Sequence, residues 1–297
     1  MSRLSGKVAL ITGGNSGIGL ATAKLFVKEG AFVYITGRKE VSLTEASKLL
    51  GEQSQSIKVD VSNLDDIAHM YDVIAKRHHQ LDIVVANAGG GEFSALGEYT
   101  EEHYSRTFDT NVKGLIFTVQ GALPSLHSGS SVVLVGSQIS IEGVTNFGIY
   151  AATKAAVRSF ARTWTAELSD RNIRVNVVSP GPTDTPAISG LVDRDPAKDS
   201  ELGKYWPHLS HSSVWVLQRN QRTSSFFLRA MKAVSWLELI MSLMVERRVF
   251  DSSVSKDDRP SRKAPISDLT LGIGLFKSGG GAGVGTAPPI YRTVQHE

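Results

Sequence analysis

The stretch "KVALITGGNSGIGLATAKLFVKEG", residues 7–30, joins a short apolar run to a segment of helical period through a glycine-rich turn. The run "KVALIT" lacks polar alternation, which suits a strand buried on both faces of a parallel sheet. After the turn, Ile18, Ala21, Leu25 and Phe26 fall on one helical face, and Gly30 stands where a C-terminal cap is needed. The turn itself, "TGGNSGIG" at residues 12–19, opens directly into the helix. Gly13, Gly17 and Gly19 permit positive φ, close approach of a ligand to the backbone, and tight packing of the helix. With amide donors and the positive dipole end of the helix, Gly13, Asn15, Ser16, Gly17, Ile18 and Gly19 are candidates to cradle a pyrophosphate. Such a turn taken alone is weak evidence, and its place between strand and helix is what gives it weight.

The same alternation continues outward. The runs "AFVYIT", "LDIVVANAG", "SVVLVGS" and "IRVNVVSP" are rich in β-branched residues and close on Gly, Asn, Ser or Pro, with helix-period segments between them. Repeated strand–helix–strand units predict an α/β fold, a doubly wound parallel sheet of the Rossmann type, as a single domain over residues 1–205. Ligands in that architecture sit beyond the carboxyl ends of the strands. The second run ends in "YITGRKE", where an NAD-preferring site places a carboxylate for the ribose 2′-hydroxyl. Thr36 and Gly37 stand there instead, followed by Arg38, whose guanidinium suits a 2′-phosphate. This favours NADP(H), with NAD(H) as the alternative.

Chemistry-bearing residues fall at the same end. In "GIYAATKAAVRSFARTW", Tyr150 and Lys154 are four apart and share a helix face. Ser137 ends the run "VLVGS", and Asn111 lies within a preceding helical segment. A carbonyl reduced by hydride needs a proton at its oxygen, and a free tyrosine, with a pKa of about 10, exchanges protons poorly near neutrality. Lys154 as a nearby cation would lower the Tyr150 pKa, and Ser137 would polarise the carbonyl by a hydrogen bond.

The set "TGGNSGIG", Asp60-Val61, "NAG" at residues 87–89, Asn111, Ser137, Tyr150-x3-Lys154 and "PGPTDT" at 180–185 resembles the short-chain dehydrogenase/reductase family, over residues 3 to about 205. The resemblance implies a nicotinamide-dependent oxidoreductase interconverting a small-molecule carbonyl and alcohol. It implies that Asp60 and Val61 hold the adenine, that Asn87, Ala88 and Gly89 brace the sheet beside the cofactor, and that Pro180, Gly181, Thr183 and Thr185 line the nicotinamide. Lys154 would also hold the ribose hydroxyls beside Tyr150, and Asn111 would keep a water in a proton relay. Family members assemble as homotetramers or homodimers. Gln138, Ile139, Asn146 and Phe147 are expected to line a mixed polar and apolar substrate pocket.

Composition agrees with a globular enzyme: 297 residues, 41% hydrophobic, no cysteine. Disulfides, thiolate catalysis and thiolate metal sites are thereby excluded, and no metal site is expected. The N-terminus lacks a signal peptide's apolar core and no stretch is apolar enough to span a bilayer, so a cytoplasmic protein without membrane or nucleic-acid partners is expected.

Residues 206–297 fall outside this pattern. Residues 1–190 hold 17 Lys+Arg against 18 Asp+Glu, whereas 191–297 hold 15 against 11, so the basic excess lies in the tail. Trp206, Trp215 and Trp236 lie there too, beside "MKAVSWLELIMSLMVE" at 231–246, which reads like an amphipathic helix. Trp and Met have single codons, which makes another reading testable. Taken one base earlier, Trp215 before Val216 forces Gly, Met231 before Lys232 forces Glu, and Met244 before Val245 forces Gly. With permitted codons elsewhere, 206–246 then read as the family's missing ending, closing in "DGG". The tail is therefore expected to be an out-of-frame translation, irregular in structure, leaving the last strand of the sheet with an unpaired edge.

Overall fold

The computed structural model describes residues 2–181, 183 and 185, together with the backbone of 214–218 and 226–230. The chain divides into two compact units, Met1–Val249 and Phe250–Glu297. The second unit and the stretch 231–246 lie outside the described residues.

Strands β1 (Val8–Ile11), β2 (Phe32–Gly37), β3 (Ser54–Lys58), β4 (Leu81–Ala86), β5 (Leu126–Val135) and β6 (Arg174–Pro180) alternate with helices α1 (Gly17–Lys28), α2 (Glu40–Leu50), α3 (Leu64–Ala75), α4 (Glu101–Phe108), α5 (Gly114–Ala122) and α6 (Gly148–Glu167). Two further strands follow, β7 (Val214–Gln218) and β8 (Phe226–Ala230). The sheet order is β3-β2-β1-β4-β5-β6-β7-β8, and the first six strands pair in parallel. Strand order reverses between β1 and β4, which opens a crevice at their carboxyl ends. The expected doubly wound sheet is present.

The central strands are buried on both faces, which is why they read as unbroken apolar runs. On one face Leu10, Tyr34, Val84, Leu134 and Val177 pack against α3, α5 and α6 residues such as Ile67, Val119 and Val157. On the other, Ile11, Ile35, Val85 and Val178 meet Ala23, Phe26 and Leu43 of α1 and α2. No helix among the described residues is long and apolar enough to cross a membrane.

Three details differ from the sequence expectation. The face that α1 buries is Gly19, Thr22, Ala23 and Phe26, with Ile18 and Leu25 only partly covered. Glycine at 19 lets the helix lie so close that its small-residue side turns inward. The polar strand β3 was not anticipated, because an edge strand with one buried residue among five carries no apolar run. The tail, expected to be irregular, contributes β7 antiparallel to β6 and β8 antiparallel to β7. The edge of β6 is therefore paired rather than open. Both segments, "VWVLQ" and "FFLRA", are rich in β-branched and aromatic residues, and an apolar edge is a template for such chains.

Candidate active site

The phosphate end is built on β1. Gly13 takes φ +63° and Gly17 φ +49°, and a Cβ on Gly19 would lie 2.3 Å from the Gly13 carbonyl oxygen. The turn therefore doubles back tightly enough that α1 starts directly over the end of β1. Thr12 holds it from beneath: its hydroxyl accepts the Asn87 and Ala88 amides, both at 3.0 Å, while Asn87 Nδ2 donates to the Thr12 and Gly13 carbonyls at 2.8 and 3.2 Å. Asn87 and Ala88 thus brace β1 against β4. Thr12 was not singled out, since a strand-end threonine carries no distinguishing pattern.

Arg38 is exposed just past β2, and Asn15 lies over Gly37, donating to the Ser42 hydroxyl at 2.9 Å. Asp60 lies two residues past β3, where its carboxylate accepts from the Ser62 amide and hydroxyl, while Val61 is buried against Gly114. Pro180 closes β6, and Thr183 donates to the Gly181 carbonyl at 2.9 Å. Thr185 follows, and Ser16 precedes α1 as its N-cap with no side-chain cap bond. All these groups sit at the carboxyl edge of the sheet.

The chemistry end faces them from α6 and β5. Ser137 follows β5, its hydroxyl accepts the Ile139 amide at 3.4 Å, and its side chain acts on Tyr150 to favour the phenolate. Lys154, one turn on, is buried with 4% exposure. Its ammonium donates to the Val135 carbonyl at 2.9 Å and lies 5.6 Å from the centre of the Tyr150 ring. Burial pushes the Tyr150 phenol up to about 12, with the Ser137 hydrogen bond opposing that rise. Burial also pulls Lys154 down to about 8. Desolvation is thus the larger influence on both groups.

Asn111 sits in a π-helical turn, Asp109–Lys113, between α4 and α5. Its side chain accepts the Gly90 amide at 2.9 Å and donates to the Gly90 carbonyl at 2.7 Å and to Thr153 Oγ1 at 3.0 Å. Thr153 in turn donates to the Tyr150 carbonyl at 2.7 Å. Gly91 lies against the Tyr150 ring. Neither Thr153 nor Gly91 was legible beforehand, because their importance is a matter of what they touch. Around the opening, Ile139 and Phe147 are buried, and Gln138 donates to both Glu142 carboxylate oxygens at 2.6 and 2.7 Å.

A glycine-rich loop at a helix start, together with a neighbouring Ser and Tyr and a buried Lys, makes a candidate site for binding a dinucleotide and moving a proton. The family described as short chain dehydrogenase matches residues 7–195, and the chain belongs to it. It is 45% identical over 182 residues to the oxidoreductase asL5 of Sarocladium schorii, covering 61% of this chain and 73% of that protein. It is 37% identical over 186 residues to versicolorin reductase 1 of Dothistroma septosporum, covering 60% and 70%. Among solved structures, a 3-ketoacyl-(acyl-carrier-protein) reductase from Brucella melitensis complexed with NADH superposes with a TM-score of 0.60 at 27% identity, covering 63% of this chain and 80% of that one. The chain is thus a dehydrogenase/reductase acting on CH–OH/C=O, with a nicotinamide cofactor and small-molecule substrates.

Proposed function

We propose that the chain is an NADP(H)-preferring carbonyl reductase or alcohol dehydrogenase in which Tyr150 is the acid/base, Lys154 tunes it and Ser137 polarises the carbonyl. The observation that carries this reading is the buried Lys154 ammonium, 5.6 Å from the centre of the Tyr150 ring, with the Ser137 side chain acting on the same phenol. The residues present fit a dinucleotide: the loop at Gly13–Gly19 runs into the N-terminus of α1, whose first amides have no intrahelical partner, and Arg38 supplies a cation where an acid would bind a 2′-hydroxyl. The nicotinamide supplies or accepts hydride. Tyr150 delivers the proton to the substrate oxygen in reduction and removes it in oxidation, while Ser137 donates a hydrogen bond to that oxygen. Lys154 favours the phenolate by its charge and holds the ribose hydroxyls, Asn111 keeps a water in the proton relay, and Asp60 and Val61 take the adenine. Pro180, Gly181, Thr183 and Thr185 line the nicotinamide. The proposed setting is cytoplasmic and the proposed assembly a homotetramer or homodimer.

The test is oxidation of NADPH by a panel of ketones, followed at the nicotinamide absorbance band. Turnover that Tyr150→Phe abolishes while NADPH still binds supports the reading. Turnover that survives Tyr150→Phe sinks the acid/base assignment. For the cofactor, Arg38→Leu should weaken NADP+ by about 10- to 100-fold and leave NAD+ unchanged, as befits a charged hydrogen bond.

A second reading, a non-catalytic dinucleotide binder or inactive frameshifted product, rests on the tail. The family match stops at residue 195, and the forced Gly, Glu and Gly of the earlier reading frame fall where a family ending needs them. Residues beyond about 206 are proposed to be an out-of-frame translation. Sequencing the encoding DNA across codons 203–210, with the intact protein mass, decides this: a missing base restores the family ending, and a mass of all 297 residues overturns the proposal.

A further inference from the structure

The loop after β4 runs as three consecutive glycines across three residues of the site. A Cβ on Gly89 would sit 3.0 Å from Asn111 Oδ1 and 3.3 Å from Lys154 Nζ. Gly90 exchanges both of its backbone hydrogen bonds with the Asn111 side-chain amide. A Cβ on Gly91 would sit 2.6 Å from Tyr150 Cδ2, 2.8 Å from Cγ and 3.0 Å from Phe147 Cε2. Carbon atoms do not approach that closely, and the obstacle is a ring beside its own Cα, so it cannot swing away as a long side chain would. The Phe147 ring stacks on that of Tyr150 at 4.5 Å and 26°, and Phe93 stacks on Phe147 with the same spacing and angle. Farther along, Glu92 pairs with Arg106 at 2.8 Å, and the Ser94 amide donates to the Asn146 carbonyl at 2.7 Å. The segment is therefore fastened at both ends and pressed on the ring between them.

We infer that residues 89–94 form a strap that sets the plane of the Tyr150 ring, with Gly91 as a positioning residue and the Asn111–Thr153 pair holding the strap and α6 in one register. This rests on the reading of Tyr150 as the acid/base. A phenol must meet the substrate oxygen within hydrogen-bond reach and in line with it, and small misplacements of a catalytic group cost large factors in rate. The ring has two dihedral freedoms. Phe147 restricts one face of it, the Gly91 backbone takes the remaining room, and the Asn111 amide locks that backbone through Gly90. Asn111 reaches α6 a second time through Thr153 Oγ1, which donates to the Tyr150 carbonyl. Ring and backbone of Tyr150 are thus referred to the same side chain.

The test compares Gly91→Ala, Thr153→Ser and Thr153→Val in the full chain. Gly91→Ala is expected to lower kcat by about 10- to 100-fold, with NADPH affinity by fluorescence titration within about twofold. Thr153→Ser keeps the hydroxyl and should keep most of kcat, whereas Thr153→Val, of the same shape, should lose about tenfold. The Tyr150 resonance in ring-13C tyrosine NMR, assigned with Tyr150→Phe, should shift or broaden in Gly91→Ala. That measurement needs no turnover, so an inactive wild type would overturn the catalytic reading while leaving the strap open to judgement. An unmoved Tyr150 resonance, or equal rates for Thr153→Ser and Thr153→Val, would overturn the strap. NADPH affinity falling in step with kcat would assign Gly91 to the cofactor instead.

Discussion

Replacing Lys154 by Met removes a charge, keeps the length of the side chain, and isolates what that charge does to Tyr150. At the 5.6 Å separation between the ammonium and the Tyr150 ring centre, and with an effective dielectric of about 20, the attraction for a phenolate is about 3 kcal/mol. That is roughly 2 pKa units. The sign is fixed: a cation favours phenolate, so its loss raises the Tyr150 pKa. Alcohol oxidation requires phenolate as the base, so its rate falls below that pKa. The acid limb of kcat/KM against pH, measured at saturating cofactor, should move up by about 2 units in Lys154→Met, equivalent to about a hundredfold loss at fixed pH on that side. Saturating cofactor matters because Lys154 is also assigned to the ribose. A limb that stays within half a unit or so while the rate drops would show that Lys154 acts as a ribose clamp alone, and the electrostatic argument would be wrong.

The same lysine carries a stability prediction. Its folded pKa near 8 against an ordinary 10.5 means that the unfolded chain binds the proton more tightly between those values, so stability rises with pH across that window. Below pH 8 the burial costs up to about 3 kcal/mol, so urea melts of Lys154→Met at pH 7 should show a more stable protein, less the loss of the bond to Val135; equal midpoints at pH 7 would count against it. Ser137→Ala should reduce kcat by about 10²- to 10³-fold with NADPH binding intact, and near-normal kcat would remove Ser137 from the chemistry. Asn111→Ala strands the Gly90 amide and carbonyl, while the Thr153 hydroxyl loses an incoming donor but keeps its bond to the Tyr150 carbonyl. It should cost about 3 kcal/mol and lower the melting temperature by roughly 6–10 °C, and a change under about 1 kcal/mol would mean that water replaces the amide.

Much of the molecule can be read from its letters because burial on both faces leaves β1, β2, β4, β5 and β6 no choice but apolar runs, and because a pyrophosphate loop at a helix start needs glycine for reasons of backbone shape. The spacing of Tyr150 and Lys154 is equally local, a single helical turn on α6. Edge strands escape that logic. β3 has one buried residue, and whether β7 and β8 pair at all depends on the open edge of β6 that awaits them. The inward face of α1 was likewise decided by how closely Gly19 lets the helix approach, which periodicity does not encode.

The sequence by itself determined the class of sheet and singled out the candidate groups for binding and chemistry, since each depends on residue type and short-range spacing. Only the tertiary structure decided that burial pushes Tyr150 up and Lys154 down, that Thr12 ties β1 to β4, and that Gly91 meets the Tyr150 ring while Asn111 and Thr153 link to its backbone. Desolvation and steric contact belong to neighbours brought together from distant parts of the chain, and no local pattern records them.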